Sequence, residues 1–558
     1  MVVVLLLLAP LLIVPPAAAA PSALACLRAS GGAGNRCLGK YTQVVEKCRK
    51  KQDAACEDAA RADGGALAGV LAKNAKPIDK QCDGPSSEGI GFPPEADVVG
   101  HIDHACIDFG EDALAMEAGS GSADGAFLKC QRAAVGQLRK LRAKTIQLFG
   151  PGCGVKEFRG KACKRDKRDQ RQQALVDKVT SRIAKKCPDG FGGAPIAELV
   201  ETAATRARHY AILVYPPNNL GPTADFGPYP VGVRTLMLED DTRLDVAGTG
   251  PRPVTTEVYY PATDAAVAGL PRDVVSIFGV EVASSPAYRD VDAAEGDFPL
   301  VVFSHGNLGV RFQSIFFASH LASHGYVVAS PDHHGNNFLD VFAGVVDPLP
   351  STALNRPADM RFVIDHMLEL DSAPGSFLEA RLDADAIGAS GHSFGGLTTF
   401  ALVGDGGIPT VPADPRVKAA MPQAPASPAD EAYYPGVTVP VLIVGGSIDG
   451  TTPFASQQQL PYDRLSPGAA VVALAEIEGA GHFTFSDYCE VDRQLLAALN
   501  GFEEACEPRH LPWRHAHDIV NYLGLNFFDA ILKNDAEALG RLDAGVVNAI
   551  DDVRFERK

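Results

Sequence analysis

Several absences narrow the classes of protein to which this 558-residue sequence can belong. It contains no Gly-rich phosphate loop and no dinucleotide fingerprint, which argues against a nucleotide-dependent enzyme. After the first twenty residues, no stretch is long and apolar enough to span a bilayer. The cysteines never form a Cys-x-x-Cys pair, and histidine is nearly absent before residue 190, which argues against a structural zinc site. We therefore expect neither a cofactor nor a metal.

The beginning of the sequence has the composition of an export signal. Met1–Val14 is almost purely apolar, and a run of small residues follows it to Ala20. No positive charge precedes Arg28, so the basic segment that normally opens a secretory signal is missing. We expect residues 1–20 to be a signal peptide and the protein to be secreted or periplasmic. A retained membrane anchor and a lipid-modified Cys26 are less favoured alternatives, since lipidation would leave an odd number of thiols.

The cysteines mark a separate module. Ten of the twelve lie before residue 190, in two sets of five, and each set ends in a similar helix-like phrase, Pro77–Gly84 and Arg182–Gly190. In an exported chain, this pattern predicts a duplicated, mostly helical module held by disulfides, which we assign to residues 21–200. Its cysteines are Cys26, Cys37, Cys48, Cys56, Cys82, Cys106, Cys130, Cys153, Cys163 and Cys187.

The net charge of −17 is unevenly distributed. Residues 21–200 carry a net positive charge that is concentrated between residues 129 and 186, whereas the remainder is strongly acidic. Two interpretations of the basic stretch remain open, namely binding to an anionic membrane surface and, as the favoured one, a solvated helix face. Nucleic-acid binding is not expected, because the chain is exported and no aromatic residues alternate with the basic ones.

From residue 205 to 535 the pattern changes to short apolar runs that alternate with helical stretches. This pattern is typical of a largely parallel α/β sheet, and unbroken apolar runs are expected for strands that are covered on both faces. Functional residues gather at the carboxyl ends of such strands. Residues 536–558 are expected to be a C-terminal tail. The predicted strands are Thr256–Tyr260, Leu300–Phe303, Val327–Ser330, Ala386–Ala389, Val417–Met421, Val441–Val444 and Val471–Ile477.

A serine in a glycine-flanked turn is the candidate nucleophile. Ser393 occupies the centre of a Gly-x-Ser-x-Gly pattern between a predicted strand and a helix-like stretch. The pattern needs glycine because the turn is sharp and the backbone of the serine is strained. We expect a side chain at Gly391 or Gly395 to collide with the neighbours of the turn. His392, inside the pattern, is expected to be a packing residue.

Two later turns supply an acid and a base. Asp449 follows the strand Val441–Val444, and His482 follows the last predicted strand. The order serine, aspartate, histidine along the chain is the order found in α/β-hydrolases. We expect His482 to take the proton of Ser393 as general base and Asp449 to orient the imidazole.

The turn after strand Leu300–Phe303 is the candidate oxyanion hole. The backbone N–H of Asn307 in this turn would act together with that of Phe394, the residue after the nucleophile. The neighbouring pair His333 and His334 is not expected to bind a metal, because adjacent residues at a strand end point apart.

These motifs resemble those of known hydrolases. Phe303–Gly306, Leu321–Gly325 and Gly391–Gly396 look like the plasma-type platelet-activating-factor acetylhydrolases. Pro422–Pro425 and the Asp449 turn look like bacterial cutinases and polyester hydrolases. The resemblance covers roughly residues 227 to 532 and implies an α/β-hydrolase serine esterase that needs no cofactor. It also implies a disulfide between Cys489 and Cys506, like the C-terminal disulfide of secreted cutinases.

Two departures from these families bear on the substrate. The acetylhydrolases carry their acid after the sixth strand, where this chain has Gln423, so we expect the acid at Asp449 and not at Asp430. Polyester hydrolases carry aromatic rings at the positions that match Ala426 and Asn307, and their absence removes a clamp for aromatic units. The favoured activity is therefore hydrolysis of short-acyl lipid esters through an acyl-enzyme. Cutinase-like polyester hydrolysis is the alternative, and a catalytically silent binding protein is the alternative from another class.

Overall fold

The computed structural model describes residues 21–50, 59–61, 65–82, 98–118, 125–157, 159, 161, 163–188, 190–191, 195–215, 220–221, 223–277, 279–405, 411–490 and 503–558. The chain divides into two compact units, Met1–Gly221 and Pro222–Lys558. The predicted signal peptide, residues 1–20, lies outside the described residues, and so do Cys56 and the side chain of Cys48. Within the described part, no helix combines the length and the apolar character that crossing a bilayer requires.

The first unit is helical, as predicted for the cysteine-rich module. Buried apolar side chains such as Ile102 and Tyr210 form one of its cores, and Leu138 and Val179 belong to another. A short helix, Val155–Glu157, and a π-helical turn, Gly150–Gly154, follow the fourth long helix. The long helices are α1 (Pro21–Lys50), α2 (Ala66–Asp79), α3 (Val98–Ala118), α4 (Gly125–Phe149), α5 (Arg165–Ala184) and α6 (Ile196–Val214).

Disulfides connect these helices in a pattern that repeats. In the first predicted set of five, the first cysteine is bonded to the last, whereas in the second set the second cysteine, Cys130, is bonded to the last. The two bonds span 56 and 57 residues. Because each set holds an odd number of cysteines, one bond must join the sets, and Cys37–Cys106 does so. The thiol of Cys26 is used in a disulfide, which leaves no sulfur for a lipid. The described bonds of this unit are Cys26–Cys82, Cys37–Cys106, Cys130–Cys187 and Cys153–Cys163.

Helix α6 crosses the division that we expected between residues 200 and 205. Its later residues Ala207 and Tyr210 are buried in the same core as Leu27 of α1, so the whole helix belongs to the first unit. The division lies between Gly221 and Pro222, later than expected from the sequence. The Gly- and Pro-bearing passage that suggested an earlier boundary precedes α6 and does not end the helical packing.

The second unit contains a ten-stranded sheet in the order β12-β11-β10-β9-β8-β6-β7-β2-β1-β5. The pairs from β7 through β6, β8, β9 and β10 to β11 are parallel, whereas β12, β2 and β1 join by antiparallel pairs. The strands are β1 (Val231–Leu244), β2 (Pro251–Pro261), β3 (Val274–Ile277), β4 (Val280–Ser284), β5 (Tyr288–Arg289), β6 (Phe298–Ser304), β7 (Val327–Pro331), β8 (Leu382–His392), β9 (Val417–Gln423), β10 (Val441–Gly446), β11 (Val472–Ile477) and β12 (Val553–Arg557).

Helices cover this sheet, and its strands are buried because they are apolar on both faces. All seven residues of β6 and all six of β10 are buried. The fold class is confirmed as an α/β-hydrolase fold preceded by a mostly helical, disulfide-rich module. The helices are α7 (Asp264–Val267), α8 (Ile315–Ser323), α9 (Phe338–Phe342), α10 (Leu349–Ser372), α11 (Phe394–Val403), α12 (Leu460–Arg464), α13 (Glu503–Cys506), α14 (Trp513–Leu532), α15 (Ala536–Arg541) and α16 (Ala544–Val547).

The last residues are part of the fold and not a tail. Residues 536–558, expected to be a tail, form α15, α16 and β12, and β12 pairs antiparallel with β11 at the edge of the sheet. Val553 and Phe555 are buried, while Arg554 and Glu556, which alternate with them, are exposed. This alternation is the strand period, and a five-residue strand is easily overlooked in a sequence.

The parallel strands bring four turns to one edge of the sheet. Ser304 at the end of β6 is paired with Gly391 near the end of β8. Gly446 at the end of β10 is paired with Ile477 at the end of β11. Since the carboxyl ends of parallel strands lie together, the turns that follow β6, β8, β10 and β11 meet there.

Candidate active site

Ser393 occupies a strained turn between β8 and α11. Its backbone has φ 58° and ψ −118°, a left-handed conformation that a residue with a side chain rarely adopts. A Cβ on Gly395 would lie 1.8 Å from the carbonyl oxygen of Ser304, and one on Gly391 would lie 2.4 Å from that of Gly395. Both glycines are therefore required by close backbone approach, which is the reason expected from the sequence.

His482 lies beside this serine. The residue begins a 3₁₀ turn, His482–Phe485, after β11, and its side chain is buried. Its Nε2 is 2.9 Å from the Oγ of Ser393, and its Nδ1 is 2.8 Å from Oδ2 of Asp449. With Nδ1–H donated to a carboxylate, Nε2 is free to accept the serine proton.

Asp449 is held as a hydrogen-bond acceptor. Its Oδ1 accepts the backbone N–H of Thr451 and of Thr452, at 2.9 and 2.7 Å. Its Oδ2 accepts from His482 and lies 2.9 Å from the hydroxyl of Thr452. Such donors fix the direction of the carboxylate. Thr452 is a residue that sequence reasoning missed, because turn threonines rarely carry such a role.

The alternative acids lie elsewhere. Asp430 is exposed and accepts from the backbone N–H of Ala432 in its own turn. Glu431 forms an ion pair with Arg464, and Asp414 forms one with Arg416. The carboxylate that reaches the imidazole of His482 is that of Asp449.

The turn after β6 lies next to the serine. A Cβ on Gly306 would be 3.4 Å from the Cβ of Ser393, so the Gly306–Asn307 peptide borders the nucleophile. Asn307 is exposed, and its Oδ1 accepts from Asn336 at 2.8 Å. Phe394 is the first residue of α11, where backbone N–H groups have no partner within the helix. The structure thus brings both predicted oxyanion residues to the edge where Ser393 lies.

His392 connects these turns and does more than fill space. It is buried, and burial together with the neighbouring His482 holds its pKa well below the usual value, so the ring is neutral. Its Nδ1 is 3.0 Å from Nε2 of Gln313, and Oε1 of Gln313 accepts the N–H of Gly306 at 2.9 Å. The amide of Gln313 therefore donates to Nδ1, which leaves Nε2–H of His392 for the carbonyl oxygen of His482, 2.9 Å away.

The two adjacent histidines after β7 point to different partners. Nδ1 of His333 is 3.0 Å from Asp359, whereas Nδ1 of His334 is 2.8 Å from Asp340. Among the described residues, no group of three histidine, cysteine or carboxylate side chains is arranged to hold a metal ion. The predicted disulfide between Cys489 and Cys506 is present, after the turn that carries His482.

Comparison with known proteins points to one branch of hydrolases. A protein-family model described as PET hydrolase-like matches residues 245–500. Cutinase 1 of Thermobifida cellulosilytica is 28% identical over 183 residues, 33% of this chain and 60% of the relative. A cutinase of Thermobifida fusca matches with the same identity and length and is covered to 52%. Bis(hydroxyethyl) terephthalate hydrolase of Streptomyces coelicolor is 26% identical over 240 residues, 42% of this chain and 66% of the relative.

The second unit has the α/β-hydrolase fold and is similar to the cutinases and polyester hydrolases. The segment matched by the family model lies within this hydrolase unit and includes Ser393, Asp449 and His482. The chain spans between about half and two thirds of the length of these relatives. These matches support the cutinase-like alternative better than the acetylhydrolase-like activity, which we favoured from the sequence.

Proposed function

We propose that this protein is a serine carboxylic ester hydrolase in which Ser393, His482 and Asp449 form the catalytic triad. The observation that carries the proposal is the continuous series of contacts, 2.9 Å from Ser393 to His482 and 2.8 Å from His482 to Asp449. The strained backbone of the serine supports it, since strain persists where a function selects it. The relatives named as cutinases and as a terephthalate hydrolase support the reaction class.

In this mechanism His482 removes the proton of Ser393 as its Oγ attacks the ester carbonyl carbon. The carbonyl π pair moves onto oxygen, and the N–H groups of Asn307 and Phe394 stabilise that negative charge. His482 then donates the proton to the leaving alcohol, and an acyl-enzyme remains. Water, deprotonated by the same imidazole, attacks the acyl carbon. The bond from that carbon to Oγ then breaks, His482 returns the proton to Ser393, and the acid is released. Asp449 keeps the imidazole in the tautomer that these steps need.

For the substrate, we propose aliphatic esters of the kind that cutinases hydrolyse. The two positions that carry aromatic rings in polyester hydrolases are Asn307 and Ala426 here, and both border the nucleophile. The N–H of Ala426 donates to the carbonyl oxygen of Ser393 at 2.9 Å, so the backbone of Ala426 adjoins the nucleophile. An aromatic unit of a substrate finds no ring there to stack on, and each such contact contributes about 0.5–1.5 kcal/mol.

A substrate panel tests this proposal. We expect turnover of p-nitrophenyl esters with short acyl chains and of an aliphatic polyester film, and little release from an aromatic polyester film. The matched variant Ala426→Trp restores one ring and should raise release from the aromatic film without raising hydrolysis of the short ester. Preference for short-acyl phospholipids over both films would support the acetylhydrolase-like activity instead. An inert wild-type protein across the panel would favour a silent binding protein.

We further propose that the protein is exported. Support comes from the disulfides of both units, because such bonds persist in oxidising compartments and are rare in the cytosol. Binding of the basic stretch to an anionic membrane surface is a separate proposal. Exposed lysines and arginines of α5, such as Lys167, Arg171 and Lys178, support it. Sedimentation with anionic vesicles at low salt and release at high salt is the expected result, and equal recovery with neutral vesicles would contradict it.

A further inference from the structure

A fully buried arginine lies behind the turn that borders the nucleophile. Arg356 belongs to α10 and has no solvent-accessible surface. Burial lowers its pKa to about 9, which keeps the guanidinium charged at neutral pH. Among the described residues, no carboxylate oxygen pairs directly with it, although Asp359 lies near enough to favour the charge. A buried charge of this kind is costly unless its donors are satisfied, so the groups that satisfy it indicate its role.

Most of these groups belong to the turn after β6. The Nη2 of Arg356 donates to the hydroxyl of Ser304 at 3.0 Å and to the carbonyl oxygen of His305. Its Nη1 lies 3.4 Å from the carbonyl oxygen of Gly306. The Nδ1 of His305 also bonds that Gly306 oxygen, at 2.7 Å. Two successive carbonyls of the turn are thus directed toward the guanidinium.

This arrangement fixes the direction of the next N–H. In a trans peptide the carbonyl and the amide N–H point to opposite sides of the chain. Because the Gly306 carbonyl faces Arg356, the N–H of Asn307 faces away from Arg356. Gly306 itself borders Ser393, with 3.4 Å between Cβ positions. The side chain of Asn307 is also tied to the same arginine, because Asn336 donates to it at 2.8 Å and accepts from Arg356 at 2.6 Å.

The same guanidinium touches the second half of the site. Its Nε donates to Oγ1 of Thr398 on α11 at 3.2 Å. Its central carbon lies 4.7 Å from the centre of the Phe394 ring, within the range of a cation–π contact. Phe394 follows the nucleophile and supplies the other proposed oxyanion donor. One side chain therefore spans both segments from which the two N–H groups project.

A second series of serine, histidine and aspartate supports this arginine. The hydroxyl of Ser304 accepts from Arg356 and lies 2.9 Å from Nε2 of His333, whose Nδ1 lies 3.0 Å from Asp359. Burial lowers the pKa of His333 to about 3, so the neutral ring donates to Asp359 and accepts from Ser304. All three side chains are fully buried, which leaves no approach for a substrate. The series is structural, and Arg252 anchors its far end by a two-point ion pair with Asp359.

We propose that Arg356 is a positioning residue that builds the oxyanion hole, by holding the turn after β6 and the start of α11 in one fixed relation. The proposal rests on the proposed esterase function. Since its charge sits behind the peptide of Gly306 and Asn307, Arg356 also favours negative charge on the far side of that peptide. It does not touch the substrate.

Kinetics of Arg356→Met test this role. Displacement of oxyanion donors by about 1 Å lowers turnover by about a hundredfold. We expect kcat for a short p-nitrophenyl ester to fall by that factor, while KM changes less than about threefold because ground-state contacts remain. As a probe we choose a trifluoromethyl ketone. The Oγ of Ser393 adds to its carbonyl carbon, and its oxygen then carries a negative charge in the oxyanion hole. Its inhibition constant should rise by the same factor as kcat falls, which a loss of general stability would not produce.

The control is Arg381→Met, which removes a partly buried arginine that contacts Glu295 and the carbonyl oxygens of Glu379 and Ala380 and touches neither the turn, α11 nor the series that supports Arg356. It should lower the melting temperature but leave kcat and the inhibition constant of the folded protein within about threefold. If Arg356→Met does not fold, Arg356→Lys decides, because it keeps the charge with fewer donors; we expect about a tenfold loss in both quantities. Wild-type kcat in a folded Arg356 variant would overturn the proposal. Failure of the esterase function is distinguishable, since the wild-type protein would then be inactive.

Discussion

His392 donates its Nε2–H to the backbone carbonyl of His482, with 2.9 Å between the two atoms. The residue before the nucleophile thus holds the backbone of the base, across 90 residues of sequence. Because Gln313 donates to the other ring nitrogen, the tautomer of His392 is fixed. The nucleophile turn, the base turn and the turn after β6 are therefore connected by one set of hydrogen bonds.

Replacing His392 tests this connection. His392→Phe keeps a ring but removes the donor, and we expect kcat to fall about tenfold because one buried hydrogen bond to the base turn is lost. His392→Gln places an amide N–H where Nε2–H lies and should retain kcat within about threefold. The comparison of kcat for the two purified variants on one short ester is the measurement. Equal losses in both would mean that ring packing, not the donated hydrogen, is what matters.

The identity of the acid gives a second prediction. Asp449→Asn should lower kcat by about ten-thousandfold, because an amide stabilises the wrong tautomer of His482. Asp430→Asn is the control, since among the described residues that exposed carboxylate bonds only within its own turn. It should retain nearly all activity. The opposite pattern would place the acid after β9, on the plan of the acetylhydrolases.

A glycine of the nucleophile turn gives a third prediction. Gly395→Ala would bring a Cβ to 1.8 Å from the backbone oxygen of Ser304, which neither α11 nor β6 can accommodate without moving. We expect a loss of about 3 kcal/mol in unfolding free energy and about a hundredfold in kcat, since the serine is displaced. At Gly436 a Cβ meets no atom within 4 Å, so Gly436→Ala should be neutral within about 0.5 kcal/mol. Thermal melting and ester turnover of the two variants check both values.

The strands of the hydrolase unit could be predicted because their signal is local. Unbroken apolar runs such as Val441–Val444 indicate buried strands, and all seven predicted strands are present. Strand β1 was not predicted because most of its length is only partly buried or exposed, which weakens both the apolar run and the alternation. The domain boundary depends on where α6 packs, and that is a property of tertiary contacts.

The candidate active site also contains some residues that the sequence predicts and others that it does not. Ser393, Asp449 and His482 follow from turn chemistry and chain order, which are readable in a sequence. Arg356 was not predicted, because an arginine within a helix is ordinarily a solvated residue. Its contacts with the turn after β6 join residues about fifty positions apart, and no local pattern encodes them.

Acid should destabilise the hydrolase unit through its buried neutral histidines. Burial and, to a smaller extent, Arg514 lower the pKa of His517 to about 3, against about 6.5 in an unfolded chain. Between these values the unfolded state binds a proton that the folded state does not, so stability rises with pH. Protonation of His517 in the unfolded chain thus lowers the free energy of unfolding by about 1.4 kcal/mol for each pH unit below 6.5.

Urea unfolding between pH 4.5 and 6 measures this contribution. The single tryptophan, Trp513, lies in α14 of the hydrolase unit, so its fluorescence follows that unit alone. His517→Gln should be less stable at pH 7, because the stacking on Phe316 is lost, but its stability should depend less steeply on pH. An unchanged slope would show that folding does not lower the pKa of His517 and would contradict the prediction.

The most direct test of the account is the turnover of purified Ser393→Ala on a short p-nitrophenyl ester, beside the wild-type protein. The substitution removes only the nucleophilic oxygen, and loss of a triad nucleophile lowers kcat on the order of a millionfold. We predict that wild-type protein hydrolyses the ester and that the variant, with an unchanged melting curve, shows no hydrolysis above the background. Undiminished hydrolysis by the variant would contradict the assignment of Ser393 and, with it, the triad.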